Sequence, residues 1–280
     1  MSWHGSLNLD YRRDPHSSVP RTVVHDRHDG PLRVLASLYP EGPAVCHNVL
    51  VHPPGGIVGG DELAVGVTVA EGAHALVTTA GATRFYRSTG APAVQTLSAV
   101  LAADTRLEWL PLETIAYSGC IAQNRLRFTL APGAEMIGWD VLALGLPASG
   151  QPFERGVFTQ SIEVPGRWLE RGLIDAADTR LLDSPLGWAG QRVMGTLWFA
   201  TGAALPEPRR DALLDAARAV VDAHPLKTSA GTTSPQDGVI VLRVLAPRVE
   251  PLMNLLTLVW TTWRRAAWQL AGCTPRVWRT

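Results

Sequence analysis

A turn followed by a strand recurs about every thirty residues in the first half of this chain, and this repeat limits the folds open to it. The three copies are Val69–Val77, Leu101–Trp109 and Leu130–Gly138. Their turn residues are Gly72, Asp104 and Gly133. Such units suit stacked coils, in which each unit buries its apolar face on the next. The recurring hairpins of an ordinary β-sandwich would give a similar pattern, so both arrangements stay open on the repeat alone.

The residues around the repeat also favour strands. Short β-branched runs broken by Gly, Pro and Asn extend from about Arg21 to Pro165. They predict strands at Pro31–Tyr39, Cys46–His52, Leu63–Val69 and Ala93–Leu101. This part of the chain is therefore predicted to be all β.

After Trp198 the apolar period changes to that of helices. Leucine, alanine and valine at helical spacing predict one helix at Arg209–Ala223 and a second at Glu250–Leu270, with a strand at Val239–Leu245 between them. The second helix contains Trp260, Trp263 and Trp268. Tryptophan is common both in cores and at the centres of protein interfaces, so these three side chains are predicted to be either core residues or partner-docking residues.

Composition narrows the classes of function. Hydrophobic residues make up 46% of the 280 residues, which is ample for a sizeable core. The 25 basic and 25 acidic residues cancel, so no nucleic acid or anionic membrane is indicated as a partner. The first fifteen residues have no apolar run typical of a secretory signal, and no run is long enough to span a membrane, so we expect a cytoplasmic location. The three cysteines, Cys46, Cys120 and Cys273, fit neither a disulfide-rich protein nor a CxxC zinc site.

The most distinctive segment is His52–Asp61, here called the Pro-Gly loop. Its sequence predicts tight turns and a close approach of backbone, because glycine has no Cβ. Its characteristic residues are His52, Pro53, Pro54, Gly55, Gly56, Gly59 and Gly60. The loop lacks the glycine spacing of a dinucleotide site and the Gly-Lys-Ser/Thr of a phosphate-binding loop. A purely structural turn is the alternative to a functional loop.

Metal-ligand residue types cluster only near the same loop, at His25, His28, Cys46, His47 and His52. Their spacing matches neither a zinc finger nor a metalloprotease helix, so a tight metal site is not indicated. Imidazole suits nickel, which leaves transient contact of Cys46 and His47 with that metal open beside solvated or core histidines. No nucleophile elbow is present, and the scattered acids form no recognisable catalytic pair.

Four segments then resemble, in order and spacing, the signatures of the UreD (UreH) family of urease accessory proteins. These are Cys46-His47, the Pro-Gly loop, Gly81–Ser88 and Leu107–Pro111. Further matches are Gly138–Asp140, Leu144-Gly145, Pro147 and the closing Pro275–Trp278. The similarity is strongest from about Pro31 to Gly156.

The resemblance implies a mainly β fold, a distorted β-helix-like stack of sheets with two C-terminal helices. It implies one domain over residues 1–280, with a β-helical body at about 20–200 and a helix-strand-helix part at about 205–272. Members of the family are non-enzymatic scaffolds that bind apo-urease and, through a UreF-type protein, a UreG-type GTPase that brings nickel. No tightly bound cofactor is implied, only nickel in transit along a polar passage. Four positions match the lining proposed for that passage, Asp61, Thr83, Asp140 and Glu170.

Alternatives remain beside this interpretation. Asp61 would otherwise cap a turn, and Asp140 and Glu170 would pair with arginines such as Arg84 or Arg167. A β-solenoid carbohydrate-active enzyme, or an interaction protein of another assembly, are the competing functions. The sequence departs from the family pattern at Ala80, Leu112, Cys120 and Leu146, and Leu146 removes a charge.

Overall fold

The computed structural model describes residues 2–279, which form β-strands, three α-helices and short 3₁₀ turns. The first nine strands are β1 (His4–Arg13), β2 (Thr22–Asp29), β3 (Arg33–Val34), β4 (Val45–Val51), β5 (Glu62–Val69), β6 (His74–Thr79), β7 (Thr83–Phe85), β8 (Ala93–Leu101) and β9 (Arg106–Trp109). The other nine are β10 (Thr114–Ala116), β11 (Cys120–Leu130), β12 (Glu135–Leu146), β13 (Gln151–Pro152), β14 (Gly156–Val164), β15 (Trp168–Asp175), β16 (Val193–Thr201), β17 (Ala230–Gln236) and β18 (Val239–Ala246). The helices are α1 (Thr179–Asp183), α2 (Glu207–Asp222) and α3 (Val249–Trp268).

The strands form two stacked sheets. One has seven strands in the order β15-β14-β11-β8-β5-β1-β2. The other has eleven strands, with the path β17-β18-β16-β12-β9-β6-β4-β3 and the short β7, β10 and β13 attached beside it. The chain passes from one sheet to the other, so equivalent strands of successive coils pair in parallel, as β5, β8 and β11 do. The result is a solenoid-like stack of about 4 turns, which confirms the stacked-coil prediction.

The repeated turns are the corners of the coils. Gly72, Asp104 and Gly133 each have positive φ, at 72°, 54° and 86°, where the chain turns from the seven-stranded sheet to the other sheet. Backbone hydrogen bonds connect successive corners, as from Arg106 N to Ala73 O (3.0 Å). A Cβ on Gly133 would lie 2.8 Å from Asp104 Oδ1, so the corners stack in direct contact.

Two apolar layers hold the molecule together. The first lies between the sheets and contains the alternate inward side chains of each strand, for example Leu97, Leu126 and Ile162. The second lies on the outer face of the eleven-stranded sheet, where α2 and α3 pack against Trp139, Phe199 and neighbouring residues. Within residues 2–279 none of the helices is both long and apolar enough to cross a membrane.

Most predicted elements are present with small shifts of their ends. The predicted strand at Pro31–Tyr39 is reduced to β3 and an isolated bridge between Leu38 and His47, because this segment pairs only intermittently with β4. The seven-stranded sheet begins at His4, since β1 and β2 pair with each other and β1 pairs with β5. The C-terminal part contains a hairpin, β17 and β18, where the sequence predicted one strand.

Candidate functional site

A cavity of about 300 Å³ lies between the two sheets beneath the Pro-Gly loop. His52 and Gly56 line it on the loop side, and Thr83 lines it from β7. At its inner end are Asn124 and Asp140, which belong to opposite sheets. The cavity therefore connects the most distinctive loop of the sequence with a buried carboxyl group.

The Pro-Gly loop is fixed over this cavity by its own backbone. A turn is closed where Gly55 N donates to His52 O (2.8 Å), and Ile57 pairs with β7 through Ile57 N and Arg84 O (2.7 Å). A Cβ on Gly56 would lie 2.0 Å from Cε2 of Tyr86, so only glycine lets the loop approach that ring. Burial lowers the pKa of His52, partly opposed by the charge of Asp61.

Polar side chains form a row on the inner face of each sheet, at positions where neighbouring rows are apolar. On the seven-stranded sheet Asn124 is the direct cross-strand neighbour of both Gln95 and Gln160. On the other sheet Thr196 lies between Asp140 and Arg243 in the same way. We call these six residues and Glu170 the inter-sheet polar layer.

The layer is joined across the sheets by hydrogen bonds around Asp140. Asn124 Nδ2 donates to Asp140 Oδ1 (3.1 Å), and Gln95 Nε2 donates to Asn124 Oδ1 (3.3 Å). The pKa of Asp140 is raised to about 6, and burial is the largest cause. The charge of Glu170 also raises this pKa, whereas hydrogen bonds from Gln160 and Asn124 lower it. Within residues 2–279 the buried Oε1 of Gln160 has no hydrogen-bond partner.

The four predicted lining residues occupy different places. Thr83 and Asp140 line the cavity. Asp61 is the last residue of the Pro-Gly loop, and its carboxylate accepts from Val58 N (3.0 Å) and Trp3 N (2.8 Å), so it does cap a turn. Glu170 lies beyond Asp140 and pairs across the sheets with Arg243.

Glu170 pairs with an arginine, as the alternative expected, but the named partners Arg84 and Arg167 were wrong. Arg243, and neither Arg84 nor Arg167, binds Glu170, and the carboxyl group of Asp140 is bonded by amides. Arg167 donates instead to the carbonyl oxygens of Gly202 (2.8 Å) and Asp237 (3.2 Å). These pairings depend on which strands the topology places opposite each other.

Cys46 and His47 do not face a common site. They are neighbours on β4, and successive strand residues point to opposite faces. Cys46 lies between the sheets, where burial raises its pKa, and His47 Nε2 lies 2.6 Å from Glu41 Oε1 on the other face. Both are buried, so a shared transient metal contact is not supported by this arrangement. In the described part of the chain no three His, Cys, Asp or Glu residues are placed to hold a metal ion.

The three tryptophans of α3 are core residues. Trp260 and Trp263 have no exposed surface and Trp268 is 5% exposed. Their indole N–H groups donate to Glu108 Oε2 (2.6 Å), Leu213 O (2.9 Å) and Glu135 Oε2 (2.6 Å), respectively. The structure gives these rings no surface for a partner, so docking on α3 would use other residues. That docking stays a prediction.

A buried charge cluster beneath α3 was not predicted. Arg264 is fully buried, with Nη2 2.7 Å from Glu41 Oε2 and Nε 3.1 Å from Glu108 Oε2. His74 Nε2 lies 2.8 Å from Glu108 Oε1, and burial lowers the pKa of His74, partly opposed by that hydrogen bond. Burial raises the pKa of Glu41, but hydrogen bonds from His47 and Arg264 outweigh it and the pKa is lowered. The cluster fastens α3 to β4, β6 and β9.

Comparison with known proteins decides the family. The family model described as UreD urease accessory protein matches residues 4–279. The chain belongs to the UreD family. Among its relatives, the urease accessory protein UreD of Leptothrix cholodnii is 62% identical over 280 residues, which is 100% of both chains. The UreD protein of Paracidovorax citrulli is 63% identical over 278 residues, which is 99% of both chains. That of Variovorax paradoxus is 60% identical over 280 residues, which is 100% of both chains.

The departures from the expected UreD pattern fall in three places. Ala80 lines the cavity beneath the Pro-Gly loop. Leu112 and Leu146 both line a groove of about 880 Å³ beside the start of α3 and the C-terminal segment. Cys120 is buried between the sheets, and burial raises its pKa to about 12, so it is a neutral thiol. None of the four replaces a member of the inter-sheet polar layer.

Proposed function

We propose that this UreD-family protein is a non-enzymatic scaffold that binds apo-urease and a UreF- and UreG-type complex, and that nickel crosses it through the inter-sheet polar layer. Family membership supports the accessory role. The observation that carries the route is Asp140, a buried carboxyl group at the inner end of a cavity and within a row of amide and hydroxyl side chains.

The chemistry of this layer suits an ion in transit. Nickel that leaves water needs replacement oxygen ligands, and a single tight site would trap it. Asp140 supplies one carboxylate, and the buried Oε1 of Gln160 is an oxygen not used by the described residues. The amide of Asn124 can present either its oxygen or its nitrogen after rotation. One carboxylate with neutral oxygen ligands binds a divalent ion weakly enough to release it.

The proposed route starts at the Pro-Gly loop and ends near Glu170. His52 and Thr83 stand at its first part, Asp140 at its middle, and Glu170 at its far end. Asp61 contributes through the loop, because its carboxylate fixes the turn that covers the cavity. The proposal thus gives Asp61 a positioning role.

A carbohydrate-active enzyme is less well supported. Such an enzyme needs two carboxyl groups flanking a substrate in an open groove. Asp140 is the acid that lines the cavity within the described residues, and the neighbouring acid, Glu170, is held by Arg243. The family comparisons favour the accessory role over this alternative.

The role is tested in cells that express the structural urease subunits and the other accessory proteins, with and without this chain. We expect urease activity and bound nickel only when the chain is present. Nickel and activity that do not depend on the chain would contradict the proposal and favour an interaction protein of another assembly.

The route is tested separately with Asp140→Asn, which keeps the size of the side chain and one acceptor oxygen for Asn124 but removes the charge. We expect urease to be captured by the variant as by the wild type, but to contain at least several-fold less nickel. The matched control is Asp10→Asn, because Asp10 is a partly exposed acid on β1 that pairs with Arg27. Wild-type nickel content with Asp140→Asn would exclude the route while leaving the scaffold role in place.

A further inference from the structure

The far end of the inter-sheet polar layer is closed by an ion pair. Arg243 follows Asp140 and Thr196 along the row on the eleven-stranded sheet. Its Nε lies 3.2 Å from both carboxylate oxygens of Glu170, and its Nη2 also donates to Oε2. Glu170 belongs to β15, the edge strand of the other sheet, so this pair joins the two sheets.

This pair determines which charges an ion in the layer would meet. The Glu170 side chain is 16% exposed and that of Arg243 is 54% exposed, so the pair lies where the layer reaches the surface. The planar guanidinium fits a carboxylate through several N–H groups and stays protonated under all physiological conditions. While the guanidinium is bound, it neutralises the charge of Glu170, and any cation that arrives from Asp140 meets a positive charge.

Asp140 and Glu170 are connected through Arg243, because Asp140, Thr196 and Arg243 are successive cross-strand neighbours and Arg243 binds Glu170. The charge of Glu170 contributes to the raised pKa of Asp140, after the larger effects of burial and the Gln160 hydrogen bond. Two carboxylates that repel each other together form a better site for a divalent cation than either alone. The guanidinium of Arg243 competes for one of them.

We propose that Arg243 is the gate of the nickel route: bound to Glu170 it blocks the exit, and released it leaves two carboxylates, Asp140 and Glu170, to attract a divalent cation. This inference rests on the proposed function. It assigns Arg243 a role that differs from that of the lining residues, because its charge opposes the ion. Opening requires only that its partly exposed side chain swing away from Glu170.

The test is Ni²⁺ binding by the isolated full chain, measured by equilibrium dialysis and calorimetry. Arg243→Gln is expected to bind Ni²⁺ at least tenfold more tightly than the wild type. The matched control is Arg127→Gln, because Arg127 is also about half exposed and pairs with a strand glutamate, Glu163, away from the layer. Its affinity should equal that of the wild type.

Two further variants test whether the charge of Arg243 and the carboxylate of Asp140 account for the change in Ni²⁺ affinity. Arg243→Lys keeps the positive charge and should bind Ni²⁺ as the wild type does. Arg243→Gln combined with Asp140→Asn should lose the gain, because only Glu170 then remains. Wild-type affinity in Arg243→Gln, or a gain that survives loss of Asp140, would overturn the gate.

The measurement is independent of urease, so its failure differs from failure of the scaffold role. Circular dichroism and thermal unfolding establish that each variant is folded. Arg243→Met, which replaces the guanidinium by an uncharged aliphatic side chain, carries the same expectation as Arg243→Gln. Its failure to tighten Ni²⁺ binding would equally contradict the proposal.

Discussion

Asp140 is a carboxylic acid that the fold holds partly in its neutral form. An aspartate has an ordinary pKa of 3.8, and burial between the sheets raises that of Asp140 to about 6. Below pH 3.8 the group is protonated in both the folded and the unfolded chain. As the pH rises through 6 the folded chain must ionise a buried group, which the unfolded chain does at no cost.

The free energy of unfolding should therefore lose a contribution from Asp140 between about pH 4 and pH 7. The difference between 3.8 and about 6 corresponds to about 3 kcal/mol. We expect the wild type to become less stable relative to Asp140→Asn by up to about that amount as the pH rises across this range. Urea unfolding followed by tryptophan fluorescence at several pH values measures it. Parallel pH profiles for the two proteins would contradict the raised pKa.

Some site residues could have been found from the sequence and others could not. Gln95, Asn124 and Gln160 each occupy a position of their strand that is otherwise apolar, and this break in alternation is visible without a structure. Their partners are not visible, because Arg243 and Glu170 are 73 residues apart and meet only through the order of strands in two sheets. Family resemblance supplied Asp140, but its hydrogen-bond partners came from the structure.

At the scale of elements, α3 is fastened by charge as well as by apolar packing. Arg264 is the cation between two buried or nearly buried carboxylates, Glu41 and Glu108. Removal of one partner from a buried ion pair leaves uncompensated charge in a region of low dielectric. The tryptophan N–H groups of the same helix satisfy further acceptors, so α3 belongs to the core.

Arg264→Met should lower the free energy of unfolding by about 3–5 kcal/mol, because Glu41 and Glu108 lose their shared cation. The matched control is the adjacent Arg265→Met, since Arg265 is exposed on the same helix. That variant should lie within about 0.5 kcal/mol of the wild type. Chemical unfolding of the three proteins compares them, and equal stability of both variants would show that the cluster contributes nothing.

The corners of the coils give a second element-scale prediction. Gly133 has a φ of 86° and its missing Cβ would meet Asp104 of the corner beneath it. Gly133→Ala should cost about 1–2 kcal/mol from backbone strain alone. Gly231→Ala is the control, because no atom lies within 4 Å of its added Cβ and its φ is not in the left-handed region. Thermal unfolding should show a lower midpoint only for Gly133→Ala, and unchanged midpoints would mean that the corners relax without strain.

At the scale of the whole molecule, the repeat indicated a stacked coil or a sandwich because each turn of the solenoid is a local unit, and the family resemblance selected the coil. The corners recur at a regular interval, and strands of the seven-stranded sheet such as β5 and β11 alternate buried and more exposed side chains. The first strand was missed because the β-branched runs used to predict strands begin only at about Arg21, although β1 alternates Leu7, Leu9 and Tyr11. The buried state of the tryptophans was left open, because the same residue type serves cores and interfaces.

The place of α3 in the molecule predicts what truncation will do. Among the described residues, removal of the chain after Val249 deletes six fully buried apolar side chains, which are Leu252, Leu255, Leu256, Val259, Trp260 and Trp263. Burial of such side chains contributes about 1.5–3 kcal/mol each, so their loss is comparable to the whole stability of a domain. We expect the truncated chain to be insoluble or unfolded by circular dichroism, so loss of a partner from it would not locate an interface. A soluble truncated chain with native ellipticity would contradict this position of α3 in the core.

A surface change on the same helix separates docking from folding. Leu258 is 45% exposed on α3, and Leu173 is 63% exposed on β15, on the other sheet. Both Leu258→Glu and Leu173→Glu should unfold at wild-type temperatures, because neither side chain is in the core. If α3 docks the UreF-type protein, Leu258→Glu should weaken its capture at least tenfold, since a carboxylate replaces an apolar contact, while Leu173→Glu retains it. Equal capture by both variants would place the docking surface elsewhere and leave α3 with a purely structural role.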